Sequence, residues 1–296
     1  MKKILVTGAS GFIGQKIYRQ LVKLKINVCG TVKNLNLNNS ENLKVVNFSR
    51  EIEWENVLRD VSCIIHCAGK VHEIKKKDNF KNYFEINIEG TKILAEQAIK
   101  YGVKKIIFLS SIKAGFKDPQ DFYAQSKFEA EKVLRKISLK SNLELVVLRL
   151  PLVYGYPAKG NLSRLIKLIN LGIPLPFGLI KNKRAFIGIE NLIDVIINCI
   201  DNSRANGKTL YVSDGEDLST KDLIRHLATV TGKSVDIFPF PLSILKFAGY
   251  CLGFKGDIDR LLGSLEVDIE YTKKVLDWKP PYSVAEGFKK ILMQEE

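Results

Sequence analysis

Tyr123 and Lys127, in the stretch YAQSK, stand four residues apart. On a helix that spacing puts a phenol and an ammonium on one face, one turn apart. A nearby cation favours the ionised phenol and so lowers its pKa, which equips the phenol to trade a proton with a substrate oxygen. Upstream, Gly8, Gly11 and Gly14 form the pattern G-x-x-G-x-x-G after an apolar run, KKILVTG. A strand-to-helix turn needs a glycine for positive φ, a second for close approach of a ligand to the backbone, and a third for helix–sheet packing. The helix behind such a loop offers amide hydrogens and a partial positive charge, which suits a pyrophosphate. The glycine pattern, with its flanking strand and helix, reads as a dinucleotide site; the phenol–ammonium pair is by itself either catalytic or two polar residues on a helix surface.

The elements that must carry these groups follow from periodicity. KKILVTG, INVCGTVK, LKVVNF, VSCIIHCAG, VKKIIFLSS and LELVVLRL read as strands. FIGQKIYRQLVKLK, EWENVLRD, YFEINIEGTKILAEQAIKYG and FYAQSKFEAEKVLRKIS read as helices. Strands that are apolar on both faces and alternate with helices predict a parallel sheet covered on both sides. The fold class is therefore α/β, a Rossmann-type doubly wound sheet over residues 1–150. Residues 151–296 form a smaller mixed substrate region, with some elements returning to the first domain. The change is marked by Pro151, Pro157, Pro174 and Pro176 and by shorter elements.

Composition narrows the function. The chain has 296 residues, 46% of them hydrophobic, enough for one large core or two moderate ones. The net charge of +14 comes from dispersed lysines, the densest cluster being KKKD at 75–78. With no zinc finger, aromatic-basic signature or basic tail, nucleic acid is not the expected partner. No apolar run reaches the roughly 20 residues a spanning helix needs. LSILKFAGYCLGF at 242–254 reads instead as a packed helix, with a membrane-surface or substrate-lid helix as the other reading. The N-terminus lacks the h-region of a secretory signal. Cys29, Cys63, Cys67, Cys199 and Cys251 show no metal-ligand spacing and read as reduced core residues of a cytoplasmic protein, with no metal site.

Several motifs in order resemble the extended short-chain dehydrogenase/reductase family, of the NAD-dependent epimerase/dehydratase type. The likeness covers nearly the whole chain. IIHCAGKVHE is similar to the family's strand-four motif, which implies that Ala68 and Gly69 line the cofactor. NIEGTKILAEQA resembles its N-x-x-G-T helix, with Asn87 a structural hydrogen-bonder beneath the site. FLSSIKAG matches the strand-five serine motif, so that Ser111 is the implied catalytic hydroxyl. RLPLVYG resembles the segment passing the nicotinamide, implying Pro151 and Val153 there. Gly8, Gly11, Phe12, Ile13 and Gly14 are the implied pyrophosphate cradle. Tyr123 and Lys127 complete the implied catalytic trio and also contact the cofactor.

The cofactor's identity turns on the end of strand two, where an NAD enzyme carries an acid for the ribose hydroxyls. Here Val32 holds that place and Lys33 follows. A cation there suits a 2′-phosphate, so NADP(H) is favoured over NAD(H). Asn47 and Phe48 stand where the family has the adenine contacts. The C-terminal region resembles nucleotide-sugar enzymes of surface-polysaccharide synthesis, including O-antigen. The likeness implies a UDP-sugar held by Asn161, by Leu175 to Phe177 and by Arg184, with Arg260 as a second arginine. Dehydration is disfavoured, because IKAG after Ser111 lacks the required carboxylates. The expected reaction is reduction of the C4 ketone of a UDP-4-keto-6-deoxy-hexosamine. The alternatives are a UDP-sugar 4-epimerase with tightly bound NAD and a non-catalytic dinucleotide sensor. Family members pair through two long helices, here 80–101 and 122–139, which implies a homodimer through a four-helix bundle; a monomer is the alternative.

Overall fold

A computed structural model describes residues 2–33, 43–46, 53–70, 80–116, 121–158, 160–251, 253 and 255–291. The described chain divides into two compact units. One comprises Met1–Leu150, Val195–Tyr211 and Tyr271–Trp278; the other comprises Pro151–Asp194, Val212–Glu270 and Lys279–Glu296.

The elements run β1 (Lys3–Thr7), α1 (Phe12–Lys23), β2 (Val28–Val32), β3 (Leu43–Val45), α2 (Trp54–Leu58), β4 (Val61–His66), α3 (Phe80–Tyr83), α4 (Gly90–Lys100), β5 (Lys105–Ser111), α5 (Phe122–Ser138) and β6 (Glu144–Leu150). They continue with β7 (Leu152–Tyr154), α6 (Gly160–Asn170), β8 (Phe186–Gly188), α7 (Ile189–Asp201), β9 (Thr209–Tyr211) and α8 (Thr220–Thr231), and close with α9 (Leu242–Cys251), α10 (Lys255–Leu262), α11 (Glu270–Leu276) and α12 (Val284–Lys289).

The first unit is built on a seven-stranded sheet in the order β3-β2-β1-β4-β5-β6-β9. Every pairing in it is parallel. The order reverses direction at β1, whose neighbours are β2 and β4, and a ligand crevice opens at such a switch point. All seven residues of β5 are buried, and β1, β4 and β6 are mostly so. Strands covered on both faces need no polar side, hence their continuous apolar runs. Leu5, Ile64, Ile106 and Val147 pack with Leu94, Ala98 and Leu134 of α4 and α5 on one face of the sheet.

Between α3 and α4 the helix makes a π-helical turn, Phe84–Glu89. The sequence pattern alone predicts one continuous helix here. Such turns bring in an extra residue and occur often at functional sites; this one carries Asn87.

The second unit holds the two-stranded parallel sheet β7-β8. Tyr154, Phe186 and Phe288 form its aromatic centre, with Tyr154 stacked on Phe288 at 4.4 Å between centroids. The Tyr154 hydroxyl donates to Asp214 at 2.6 Å. That carboxylate also accepts from the Gly188 amide and from Asn191, which satisfies a charge buried in an apolar cluster. The α9 segment is a helix but not a fully packed one: Ile244, Phe247 and Tyr250 are exposed, Phe247 at 69%. The cysteines are free; Cys29, Cys63 and Cys199 are buried, whereas Cys67 is half-buried and Cys251 exposed, so neither of these two is a core residue. Among the described residues no helix is long and apolar enough to cross a membrane.

Candidate active site

The glycine loop joins β1 to α1. Gly8 has φ +69°, and a Cβ there would stand 2.9 Å from the Ala68 backbone, so only glycine fits. A Cβ on Gly14 would fall inside the van der Waals shell of the Gly8 carbonyl oxygen. Gly11 is the N-cap of α1 and supplies no side-chain cap; the first turn, with Phe12 and Ile13 half-buried, has no acidic residue. Amide donors at a helix start, without a competing side-chain oxygen or negative charge, form a donor set that fits a pyrophosphate. At the end of β4 the Ala68 amide donates to Thr7 Oγ1 at 3.1 Å, holding the Ala68–Gly69 turn against the loop. His66 ties the same strand ends together, bonding Thr7 through Nδ1 and Thr91 through Nε2. Burial, then the Lys127 charge, push its pKa down to about 3, so it is a neutral strut and not a proton carrier. Lys33 is exposed directly after β2. Asn47 and Phe48 lie outside the described residues.

The candidate proton-transfer groups stand on β5 and α5. Ser111 ends β5, and its hydroxyl, as a hydrogen-bonding neighbour of the Tyr123 phenol, acts to lower that phenol's pKa. Tyr123 and Lys127 lie one turn apart on α5, whose N-cap is Asp121. Lys127 is buried and donates through Nζ to the Leu109 carbonyl at 2.8 Å; its amine sits 4.6 Å above the Phe108 ring. Asn87, on the π-helical turn, accepts from the Lys70 amide at 2.6 Å and donates to the Lys70 carbonyl and to Ser126 Oγ. Ser126 donates in turn to the Tyr123 carbonyl at 2.8 Å. Asn87 thus joins the turn after β4 to the helix that carries Tyr123.

One expectation is corrected. The spacing predicts a phenol acidified by Lys127. Instead burial, with the Asp121 charge in support, pushes Tyr123 up to about 12, while the Ser111 hydrogen bond acts the other way. Lys127 is not among the causes, and its Nζ is bonded to β5. Burial pushes Lys127 itself down to about 8, against the charge of Glu131. At neutral pH the phenol is therefore protonated and the amine mostly charged.

Beneath the trio lies a network that the sequence reading missed. Glu131 accepts from Ser110 Oγ at 2.5 Å and from Arg149 at 3.0 and 2.8 Å; Arg149 also donates to the Tyr211 hydroxyl. Glu131 is one turn beyond Lys127 and buried on the same face of α5. Its position four residues on was the available signal. Its partner, 18 residues away on β6, gave none.

The remaining candidates belong to the second unit. Pro151 is buried, and Val153 is the middle residue of β7, paired with Ile187. Asn161 and Phe177 line one apolar cavity of about 260 Å3, together with Arg164, Leu245, Ile258 and Leu261. Leu175 is buried beside it, its amide donating to the Asp236 carbonyl. Arg184 and Arg260 do not line that cavity. The Arg184 guanidinium donates to the Arg260 and Gly263 carbonyls at the end of α10. Burial and the neighbouring Arg260 charge lower its pKa.

The chain matches the NAD dependent epimerase/dehydratase family over residues 4–212. It belongs to this family. The fold and the glycine loop are thus those of an extended short-chain dehydrogenase/reductase, an enzyme family. Across 97% of its length the chain is 38% identical to a UDP-glucose 4-epimerase of Vibrio cholerae, covering 94% of that protein. Two solved structures share the fold at lower identity. A UDP-N-acetylglucosamine 4-epimerase of Bacillus cereus has TM-score 0.81 at 18% identity, with 98% of each chain covered. A UDP-glucuronic acid 4-epimerase of Bacillus cereus, in complex with UDP-glucuronic acid and NAD, has TM-score 0.77 at 21% identity, with 97% of each covered.

Proposed function

We propose that this family member is a UDP-sugar 4-epimerase. The observation that carries the reading is Ser111 beside the Tyr123 phenol, with Lys127 one turn away, in a chain 38% identical to a UDP-glucose 4-epimerase over nearly its full length. Gly8, Gly11, Gly14, Ala68 and Gly69 would hold a nicotinamide dinucleotide. Held there, it would supply reversible hydride transfer at C4 of the hexose. Tyr123, protonated at rest, can give its proton to the C4 oxygen as hydride returns; to take the C4 hydroxyl proton in the other direction the phenol must first ionise. Ser111 donates a hydrogen bond that fixes this oxygen against the phenol. Lys127, charged below pH about 8, is held on the Leu109 carbonyl one turn along α5. Asn161 and Phe177 mark a cavity for the nucleotide part of the substrate, and Arg184 with Arg260 provides cationic donors for its diphosphate. The test is interconversion of C4 epimers of UDP-glucose or UDP-N-acetylglucosamine without added cofactor.

A second reading, reduction of a UDP-4-keto sugar, is favoured by two observations. Lys33 suits the 2′-phosphate of NADPH, and a phenol held protonated is ready to act as an acid. NADPH oxidation on addition of a UDP-4-keto-6-deoxy-hexosamine tests it. The dissociation constants of NAD and NADP test the Lys33 argument, which tighter NAD binding refutes. The homodimer through the long helices is proposed on the apolar residues they expose, among them Ile93 and Phe128.

A further inference from the structure

Lys113 and Asp121 lie on either side of the Ser111–Tyr123 contact. Ser111 Oγ accepts from the Lys113 amide at 3.2 Å, capping the short 3-10 turn Ile112–Gly115 that leaves β5. Lys113 Nζ donates to Asp121 Oδ2 at 2.6 Å. The other oxygen of that carboxylate, Oδ1, accepts from the Ala124 amide at 2.9 Å and caps α5. One carboxylate therefore holds the turn through one oxygen and the helix start through the other. Ser111 stands two residues from the lysine end and Tyr123 two residues from the aspartate end. The pair is partly shielded, with Lys113 36% and Asp121 12% exposed.

We propose that the Lys113–Asp121 ion pair is a positioning clamp that holds the Ser111 hydroxyl on the Tyr123 phenol. The role of that contact in turnover rests on the function proposed above; the clamp itself is a matter of geometry. Lys113 and Asp121 touch no reacting atom and act through the two residues they anchor. Without the ammonium, the turn after β5 keeps the Ser111 cap and β5 keeps its bonds to Glu131 and Lys127, but the turn loses its ion pair to the start of α5, and the spacing of Ser111 from the phenol is no longer held at that end. Misplacing a hydrogen-bond donor by about 1 Å costs much of its effect on a transition state. Binding of the substrate's nucleotide part is untouched, so the loss falls on kcat.

The test compares K113M, K113R, D121N and the double variant K113M/D121N with the unaltered protein; asparagine keeps the helix cap. The expected result is that K113M and D121N lower kcat about tenfold with KM within about twofold, and that K113R recovers most of the loss. The double variant is no worse than the poorer single, as groups acting through one interaction require. Crystals of K113M are expected to show Ser111 Oγ moved off the phenol by more than about 1 Å, with α5 in place. Unchanged kcat in K113M, additive losses in the double variant, or an intact Ser111–Tyr123 contact in K113M crystals overturns the clamp. If the contact breaks in K113M while the unaltered protein turns over no UDP-sugar, the clamp stands and the proposed function falls.

Discussion

Lys127 is a buried amine whose pKa sits below its ordinary value, and that sign has two consequences. In the dinucleotide-free protein the amine is expected to titrate near pH 8, measured by NMR of isotopically labelled lysine against a Lys127→Met control. A midpoint above 10 contradicts the burial argument. The unfolded chain keeps this lysine charged up to its ordinary value of about 10.5 and so binds more protons between pH 8 and 10.5. This residue's contribution to stability therefore rises across that window, and below pH 8 the cost of burying the charge is fully present. Tyr123→Phe removes the proposed proton carrier and is expected to lower kcat by about 10²–10⁴-fold while dinucleotide binding persists, as checked by steady-state kinetics and titration. Spacing alone disclosed the pairing of Tyr123 with Lys127, because four residues on a helix fix a shared face. It did not disclose the direction of either pKa, because depth of burial and the choice of Leu109 as the amine's partner belong to the tertiary structure. Lys113 was read only as a missing carboxylate; its tie to Asp121 depends on two chain segments meeting.

At the level of elements, the glycine loop makes a graded prediction. Gly14→Ala drives a methyl into the Gly8 carbonyl and is expected to destabilise the first unit by roughly 1–3 kcal/mol, measured by urea denaturation. Gly11→Ala meets only the Gly8 oxygen at 3.2 Å and needs no left-handed backbone, so it is expected to fold while binding dinucleotide more weakly. Breaking the Glu131–Arg149 pair has a different signature. Both partners are well buried, and Arg149→Leu leaves the Glu131 charge unpaired, at a cost of roughly 3–5 kcal/mol. Equal stability of that variant in urea would show that the carboxylate finds water or a proton instead. The strands and helices around the sheet were legible from period and β-branched content. The order β3-β2-β1-β4-β5-β6-β9 was not, since pairing between distant strands leaves no local mark; β9, three residues long, joins β6 from far along the chain. The π-helical turn was hidden as well, because an extra residue in a helix shifts the phase of the apolar stripe without ending it.

For the molecule as a whole, the parallel sheet and the glycine loop are those of the NAD dependent epimerase/dehydratase family, and the candidate trio on β5 and α5 supports the proposed reaction at a sugar C4. The exposed apolar residues of the long helices predict an assembly: Phe128→Glu is expected to shift a dimer to monomers in sedimentation, with the fold intact, and a monomeric unaltered protein would remove that proposal. The family was legible because several short motifs occur in one order along the chain. The choice between epimerase and reductase was not, because both reactions use the same hydroxyl, phenol and amine and differ in whether the hydride is returned. The most direct measurement is to incubate the purified protein with UDP-glucose or UDP-N-acetylglucosamine, add no dinucleotide, and follow the configuration at C4 by NMR. The account predicts a mixture of the two C4 epimers that disappears in Tyr123→Phe. No interconversion, together with oxidation of NADPH when a UDP-4-keto sugar is supplied, would contradict it.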